Sequence, residues 1–355
     1  MRNLLRVWRL LLLSIVAWAI ALGMFVLVRR VGAPPALKWG PSGVELLWLW
    51  AFASVLFGTT FLLVTLVTQT RAFRSRPYGL LILAKSFAML AAVASYMVAR
   101  GAVAVAVGDM TLAESWADGQ RLMFDPVMGV FLLYVWLTSV ALSFVRQMSA
   151  MAGSRVLVNL LLGRYHHPKV ETRIFMFLDL EGSTTIAERS GHEVFCRLIQ
   201  ECFRDLTDSA IRCSVEVYQY VGDEAILTWT PARGLQDCNC LRVFFEFKRT
   251  LQRRADFYRE RFGVVPKFKA GVNLGPATVA EVGVVKRDIA YLSDVLNTAA
   301  RLESMCREHA AELLITETLK EALPEVDDLS CEPIGELELR GKAEKISVFR
   351  VEPSS

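Results

Sequence analysis

Two carboxylates stand where strands should end or turn. Asp179 nearly closes the apolar run RIFMFLDL (173–180), and Asp223 lies at a Gly-Asp step between two alternating stretches of VEVYQYVGDEAILTW (215–229). If those stretches form a hairpin beside the first strand, both acids meet at one edge of a sheet. Paired carboxylates at such a point are costly unless a cation neutralises them. Magnesium suits the role, because it takes few protein oxygens and shares its remaining positions with phosphates. Two such ions can activate a hydroxyl and hold departing phosphates. Gly182, Ser183 and Thr184 follow Asp179 and should open a helix, whose first N–H groups can cradle a polyphosphate. Asn297 and Arg301 are four apart in DVLNTAARLES, hence on one helix face. Asparagine can position a ribose oxygen, and arginine can steady charge on a phosphoryl group. Each residue alone has a plain structural role as strand end, helix cap or surface cation; together they point to phosphoryl chemistry.

Positioning these groups takes a sheet flanked by helices. The sequence predicts a strand over 173–180, helix over about 184–212, and a hairpin over 215–229 turning at Gly222 and Asp223. Helix follows over 237–262, then a second hairpin over 267–281 turning near Gly275 and Pro276, then helix over 293–308. The order βαββαβ predicts an α+β, ferredoxin-like domain.

The segments FMFLDLEGSTT, QYVGDEAILTW and DVLNTAARLES, in this order and spacing, resemble the class III adenylate/guanylate cyclase catalytic domain, from about residue 171 to near 350. The soluble half is also similar to that of bacterial membrane-anchored adenylate cyclases. The resemblance implies formation of cyclic AMP and pyrophosphate from ATP, with two Mg2+ or Mn2+ ions per site. Asp179, Leu180 and Asp223 fall at the metal-binding positions, and Asn297 and Arg301 at the pair that orients the ribose and stabilises the transition state. Arg340, in LELRGK, stands where the family usually has a phosphate-binding lysine; it keeps the charge and can bind phosphate bidentately. The family works as dimers with the metal aspartates on one subunit and Asn and Arg on the other. This chain carries both sets, so a symmetric homodimer is implied. The base-reading positions depart from the pattern, being Gln219 and Ala290. Gln219 can donate and accept, so it suits adenine or guanine, and Ala290 offers no side-chain hydrogen bond. ATP is therefore expected on family grounds, with GTP or a silent signalling module as the alternatives.

The first half is of a different kind. The chain has 355 residues, a net charge of +4 and 54% hydrophobic residues, and its mean hydropathy is +0.37. The apolar excess lies almost wholly before residue 150. Apolar runs at 10–28, 44–68, 79–105 (interrupted by Lys85 and Arg100) and 127–145 predict about four transmembrane helices. The first run is too long for a signal peptide and ends at Arg29 and Arg30 without a cleavage site. Trp39, Trp48 and Trp50 are read as marking a membrane edge. Arginines before the first span, between the second and third and after the fourth put both termini in the cytoplasm, with the acidic third loop outside. This implies a multi-pass protein of a cell inner membrane with a cytoplasmic catalytic domain.

Lys85 lies near the start of its helix, where its stem should snorkel to the interface, a sensor or ion site being the functional alternative. Val156, Leu157, Leu160 and Leu161 recur at helical spacing and suggest a short connector helix. The expected division is 1–145 transmembrane, 146–170 connector and 171–355 catalytic. No basic stripe interleaved with aromatics suggests nucleic acid. The seven cysteines form no C-x-x-C pair, and Cys238 with Cys240 or His166 with His167 lacks further ligands at metal spacing.

Overall fold

The computed structural model describes residues 2–32, 43–68, 77–108, 111–152, 163, 165–285, 287–337 and 345–354. It divides into two compact units, Met1–Met151 and Ala152–Ser355.

The first unit is helical: α1 (Arg2–Gly32), α2 (Gly43–Thr68), α3 (Tyr78–Val107), α4 (Leu112–Met123) and α5 (Pro126–Ala152). Among the described residues four helices are long and apolar enough to cross a membrane, over Val7–Val28, Trp50–Thr68, Tyr78–Val103 and Pro126–Ser149. Apolar side chains such as Leu12, Ile20, Leu63 and Phe87 face outward, while Trp18, Phe57, Phe61, Met89 and Val135 form the interior. A Cβ on Gly58 would stand 2.6 Å from Ile15 Cα, so α1 and α2 touch backbone to backbone, as small residues permit in such helices. Trp50, the first residue of its span, turns inward and donates its indole N–H to the Ala19 carbonyl at 2.9 Å. The open space over Gly23 receives its ring. Trp39 and the Trp48 side chain lie outside the described residues. The acidic third loop contains α4, which the hydropathy pattern did not predict. Its start is a reciprocal cap: Thr111 N donates to Glu114 Oε2 at 2.8 Å and Glu114 N to Thr111 Oγ1 at 3.3 Å.

The second unit is an α+β sheet domain. Its elements are β1 (Lys169–Leu180), α6 (Ser183–Ser190), α7 (His192–Arg212), β2 (Glu216–Val221), β3 (Glu224–Trp229), α8 (Asn239–Arg253), α9 (Ala255–Phe262) and β4 (Phe268–Val282). There follow β5 (Asp288–Leu292), α10 (Asp294–Met305), β6 (Leu313–Thr316), α11 (Glu317–Ala322), β7 (Leu329–Leu337) and β8 (Ile346–Pro353). The strand order is β2-β3-β1-β4-β6-β8-β7, with β5 paired to β4. Among the described residues only β4 and β6 run parallel. The stripe proposed for a connector helix, 156–161, lies outside the described residues.

Central strand β1 is covered on both faces, so its alternation decides what each residue meets. Ile174, Met176, Leu178 and Leu180 join a core with Leu198, Cys202 and Leu206 of α7 and Phe244 and Phe247 of α8. Phe175 and Phe177 pack against Val295 and Ala299 of α10. Asp179 continues the second series and therefore lies on the α10 side of the sheet.

Gly275 and Pro276 do not make the expected turn. β4 runs straight through them, pairing with β1 in unbroken register from Phe268 to Val279. The hairpin is formed by β4 and β5 instead, one step later. On its other flank β4 pairs with β6 over 270–272 and with β5 over 278–282. Pro276 falls in the gap. Its carbonyl accepts from Ser293 Oγ at 2.7 Å on that open flank. N–H and C=O of a strand residue point the same way, so the donor that proline lacks would have had no strand to serve. The two long predicted helices are each broken once, at Gly191, whose φ is 79°, and at Arg254.

Candidate active site

The hairpin of β2 and β3 turns at Gly222, φ 62°, and Asp223, as its sequence indicates. β3 pairs with β1, with Leu178 opposite Ala225. This register brings the turn beside the end of β1, where Asp179 stands. On its other side Asp179 is opposite Lys269 of β4. The Lys269 ammonium lies 2.8 Å from Glu303 Oε1 and 3.9 Å from Asp179 Oδ2. Glu303, on α10, is buried.

Lys269 thus lies between Glu303 and Asp179, while Asp223 and Glu224 add further acidic charge beside Asp179. Burial, then the charges of Glu303 and Asp223, push Asp179 up to about 7. Burial and the same two neighbours push Glu224 up to about 7. Such a set is short of positive charge, and its hard oxygens suit a magnesium-type ion. Among the described residues no three His, Cys, Asp or Glu side chains converge as a finished cage. Magnesium rarely needs one, since substrate phosphates complete its shell. The donors present therefore fit the expected ion. Leu180 has its side chain in the core, so only its backbone carbonyl is available to a metal.

Gly182 has φ 70° and precedes α6, at whose start Ser183 and Thr184 lie. That left-handed turn is open to glycine and strained for other residues. Asn297 is exposed and Arg301 half-buried on α10. Arg301 Nη1 is buried without a hydrogen-bond partner, an arrangement that an incoming anion would satisfy. At about 100° per residue, Arg301 sits about 40° from Asn297 and about 200° from Glu303 around the helix. Within one chain the Asn297 and Arg301 face is turned away from the carboxylates. Gln219 is exposed on β2 and Ala290 half-buried on β5. Their neighbours Tyr218 and Tyr291 meet edge to face at 5.0 Å. Arg340 lies outside the described residues. Lys269, Glu224 and Glu303 were missed by motif reasoning; Glu224 adjoins Asp223, but Lys269 becomes visible only through strand register.

Residues 166–352 match the family described as the adenylate and guanylate cyclase catalytic domain. The chain belongs to this family. It is 34% identical over 224 residues to Adenylate cyclase 2 of Rhizobium meliloti (strain 1021), covering 63% of this chain and 62% of that one. It is 29% identical over 140 residues to the terminal-differentiation specific adenylate cyclase of Dictyostelium discoideum, covering 38% of this chain and 6% of that one. The chain thus spans less than two thirds of either relative's length. Its fold is similar to that of a bacterial light-regulated adenylyl cyclase, with a TM-score of 0.52, 20% identity and 65% of each chain covered.

The unpartnered arginine gives a first test. Arg301→Ala should lower kcat about a hundredfold, the loss expected for one positioned donor to developing charge. It should leave the melting temperature close to that of the parent protein. Arg301→Lys should recover part of the rate. A kcat unchanged in the alanine variant would remove Arg301 from the reaction.

Proposed function

We propose that this protein is a membrane-anchored adenylate cyclase. It forms 3′,5′-cyclic AMP and pyrophosphate from ATP in a homodimer, with its catalytic domain on the cytoplasmic face of an inner membrane. The observation that carries the reading is the division of α10: Glu303 faces the carboxylate cluster, whereas Asn297 and Arg301 face away, toward where a second copy would bring its own Asp179 and Asp223. The adenylate cyclase relatives favour ATP as the substrate. The four apolar helices and the placement of the arginines support the anchor and its orientation.

Asp179, the Leu180 carbonyl and Asp223 would hold two magnesium or manganese ions, which when bound acidify the ribose 3′-hydroxyl and offset the charge of the triphosphate. Asn297 holds the ribose so that O3′ faces the α-phosphorus. Arg301 donates to the α-phosphoryl oxygens as the O3′–P bond forms and the bond to pyrophosphate breaks. The N–H groups opened by Gly182, with Ser183 and Thr184, receive the departing phosphates, and Arg340 joins them. Positioning by two subunits supplies much of the rate. Gln219 and Ala290 flank the base.

Mixing two inactive variants tests both the reaction and the dimer. Asp179→Asn and Arg301→Ala chains, unfolded together and refolded, should regain about a quarter of parental activity. Half of the dimers are then mixed, and each mixed dimer holds one intact site of two. No recovery would place all the chemistry within one chain and refute the shared site. Cyclic GMP from GTP as the main product would make this a guanylate cyclase, with Gln219 as its base reader. Neither product from a folded dimer would leave a silent module.

A further inference from the structure

Two cations lie together inside the first unit. Lys85 of α3 and Arg146 of α5 are half-buried and close enough to repel each other. Arg146 Nη2 donates to Ser14 Oγ of α1 at 3.2 Å, and its guanidinium lies 5.3 Å from the centre of the Phe61 ring of α2. Among the described residues no carboxylate pairs with them. The unit's only acids are Glu45, in the first turn of α2, and Asp109, Glu114, Asp118 and Asp125, between α3 and the start of α5. Glu45, Glu114, Asp118 and Asp125 lie toward the opposite helix ends from Lys85 and Arg146. In a medium of low dielectric, two unpaired like charges are costly.

Hydroxyls nearby show the same deficit. Ser14, Ser54 and Ser86 satisfy themselves by donating to the carbonyl four residues back. Ser139 and Ser143 do not: they are 0% and 2% exposed, and neither hydroxyl has a partner. Residues 139, 143 and 146 follow one stripe of α5, so these hydroxyls lie along the line that ends at Arg146. Thr65 Oγ1, one turn past Phe61 on α2, is also buried without a partner.

We infer that Lys85, Arg146, Ser14 and Ser143 form a binding site for a phosphate group among the membrane helices. An Arg fork, an ammonium and hydroxyl donors match a multi-oxygen phosphate, a lipid phosphodiester or free inorganic phosphate, better than a halide. Lys85 lies near the start of its span at Tyr78 and Arg146 near the end of its own at Ser149. At about 1.5 Å per residue both are nearer one membrane edge than the midplane, within reach of a lipid headgroup or of a soluble phosphate. The site rests on reading the four helices as membrane spans.

The test uses the full chain in nanodiscs of phosphatidylcholine alone, with phosphatidylglycerol added, or with inorganic phosphate in solution. Melting temperature and lipid retention in native mass spectra are read. The melting temperature should rise with phosphatidylglycerol if a lipid fills the site, or with inorganic phosphate if a soluble anion does. Lys85→Gln and Arg146→Gln should each weaken that response by about tenfold or more, the loss of one charge-assisted hydrogen bond, and Arg146→Lys should keep part of it. In a phosphate-free maltoside detergent, with no lipid or inorganic phosphate added, Arg146→Gln should melt above the parent, because the repulsion is gone. A site-free bundle would instead lose packing and melt lower. Incorporation with no response to either phosphate, or an equal response in the variants, overturns the site alone. A chain that stays soluble without detergent and does not enter nanodiscs overturns the spans and the site together.

Discussion

Replacing Asp179 by Asn should cut product formation by about a thousandfold, equivalent to ~4 kcal/mol of transition-state stabilisation, and at the same time raise the melting temperature of the metal-free protein. The two effects have one cause. Asp179 shares a half-buried corner with Asp223, Glu224 and Glu303, and Lys269 is already paired to Glu303 at 2.8 Å. An amide keeps the shape and removes a charge that is useful only once a cation arrives. The pH dependence has a definite sign. The folded value of Asp179 is raised from the ordinary 3.8 to about 7. A carboxyl raised in this way contributes its stability below the unfolded value, and that contribution is lost as pH climbs toward 7. The gain from Asp179→Asn should therefore be small near pH 5 and larger near pH 8. Melting curves in chelator at both values, with cyclic AMP measured alongside, decide it. Equal melting at pH 8, or product at the parental rate, would mean that Asp179 is an ordinary strand-end acid. A stability gain bought with activity is the usual mark of a functional site.

How much of this site was legible depended on how local its signals were. Gly222 and Asp223 stand between two alternating runs, and a hairpin there needs nothing from the rest of the chain. Asp179, Asn297 and Arg301 sit in short segments whose residue types and spacing carry their meaning. Lys269 is different: it acts because it is opposite Asp179, ninety residues away in sequence, and only the β1–β4 register shows that. Glu303 lies in the same segment as Asn297, yet it points to the sheet while Asn297 points away, so spacing alone gave no reason to group it with the aspartates. Gly275 and Pro276 misled in the opposite way. Their local preference is for a turn, and it was overruled because the flank of β4 that Pro276 cannot serve has no strand on it. In the first unit, length and hydropathy revealed the four long helices. They were silent on Ser14, Lys85, Arg146 and Ser143 as a group, because three helices must pack before those residues meet.

Gly271→Ala tests what holds the second half of the site in place. A Cβ at Gly271 would stand 2.2 Å from the Ala299 carbonyl oxygen and 2.3 Å from Glu303 N. Both atoms belong to the backbone of α10, so no side-chain rotation can make room, and the helix must lift from the sheet. Gly275, four residues on, also faces α10, but an added Cβ there would meet only a methyl of Val295, at 2.6 Å. Side chains yield where backbone does not. Gly275→Ala should therefore be tolerated with a modest loss of stability, whereas Gly271→Ala should cost about 3 kcal/mol, the upper range of overpacking. Its effect on rate should be larger still. α10 carries Asn297, Arg301 and Glu303, and a shift of about 1 Å in reacting groups costs about a hundredfold. Disturbing both faces of α10 at once should bring the loss to about a thousandfold. Urea midpoints and cyclic AMP formation in the two variants separate the alternatives. If Gly271→Ala keeps the parental midpoint and rate, the close approach of α10 to β4 is not what sets the site. If both alanine variants fall equally, the cost lies in the strand and not in the helix it carries.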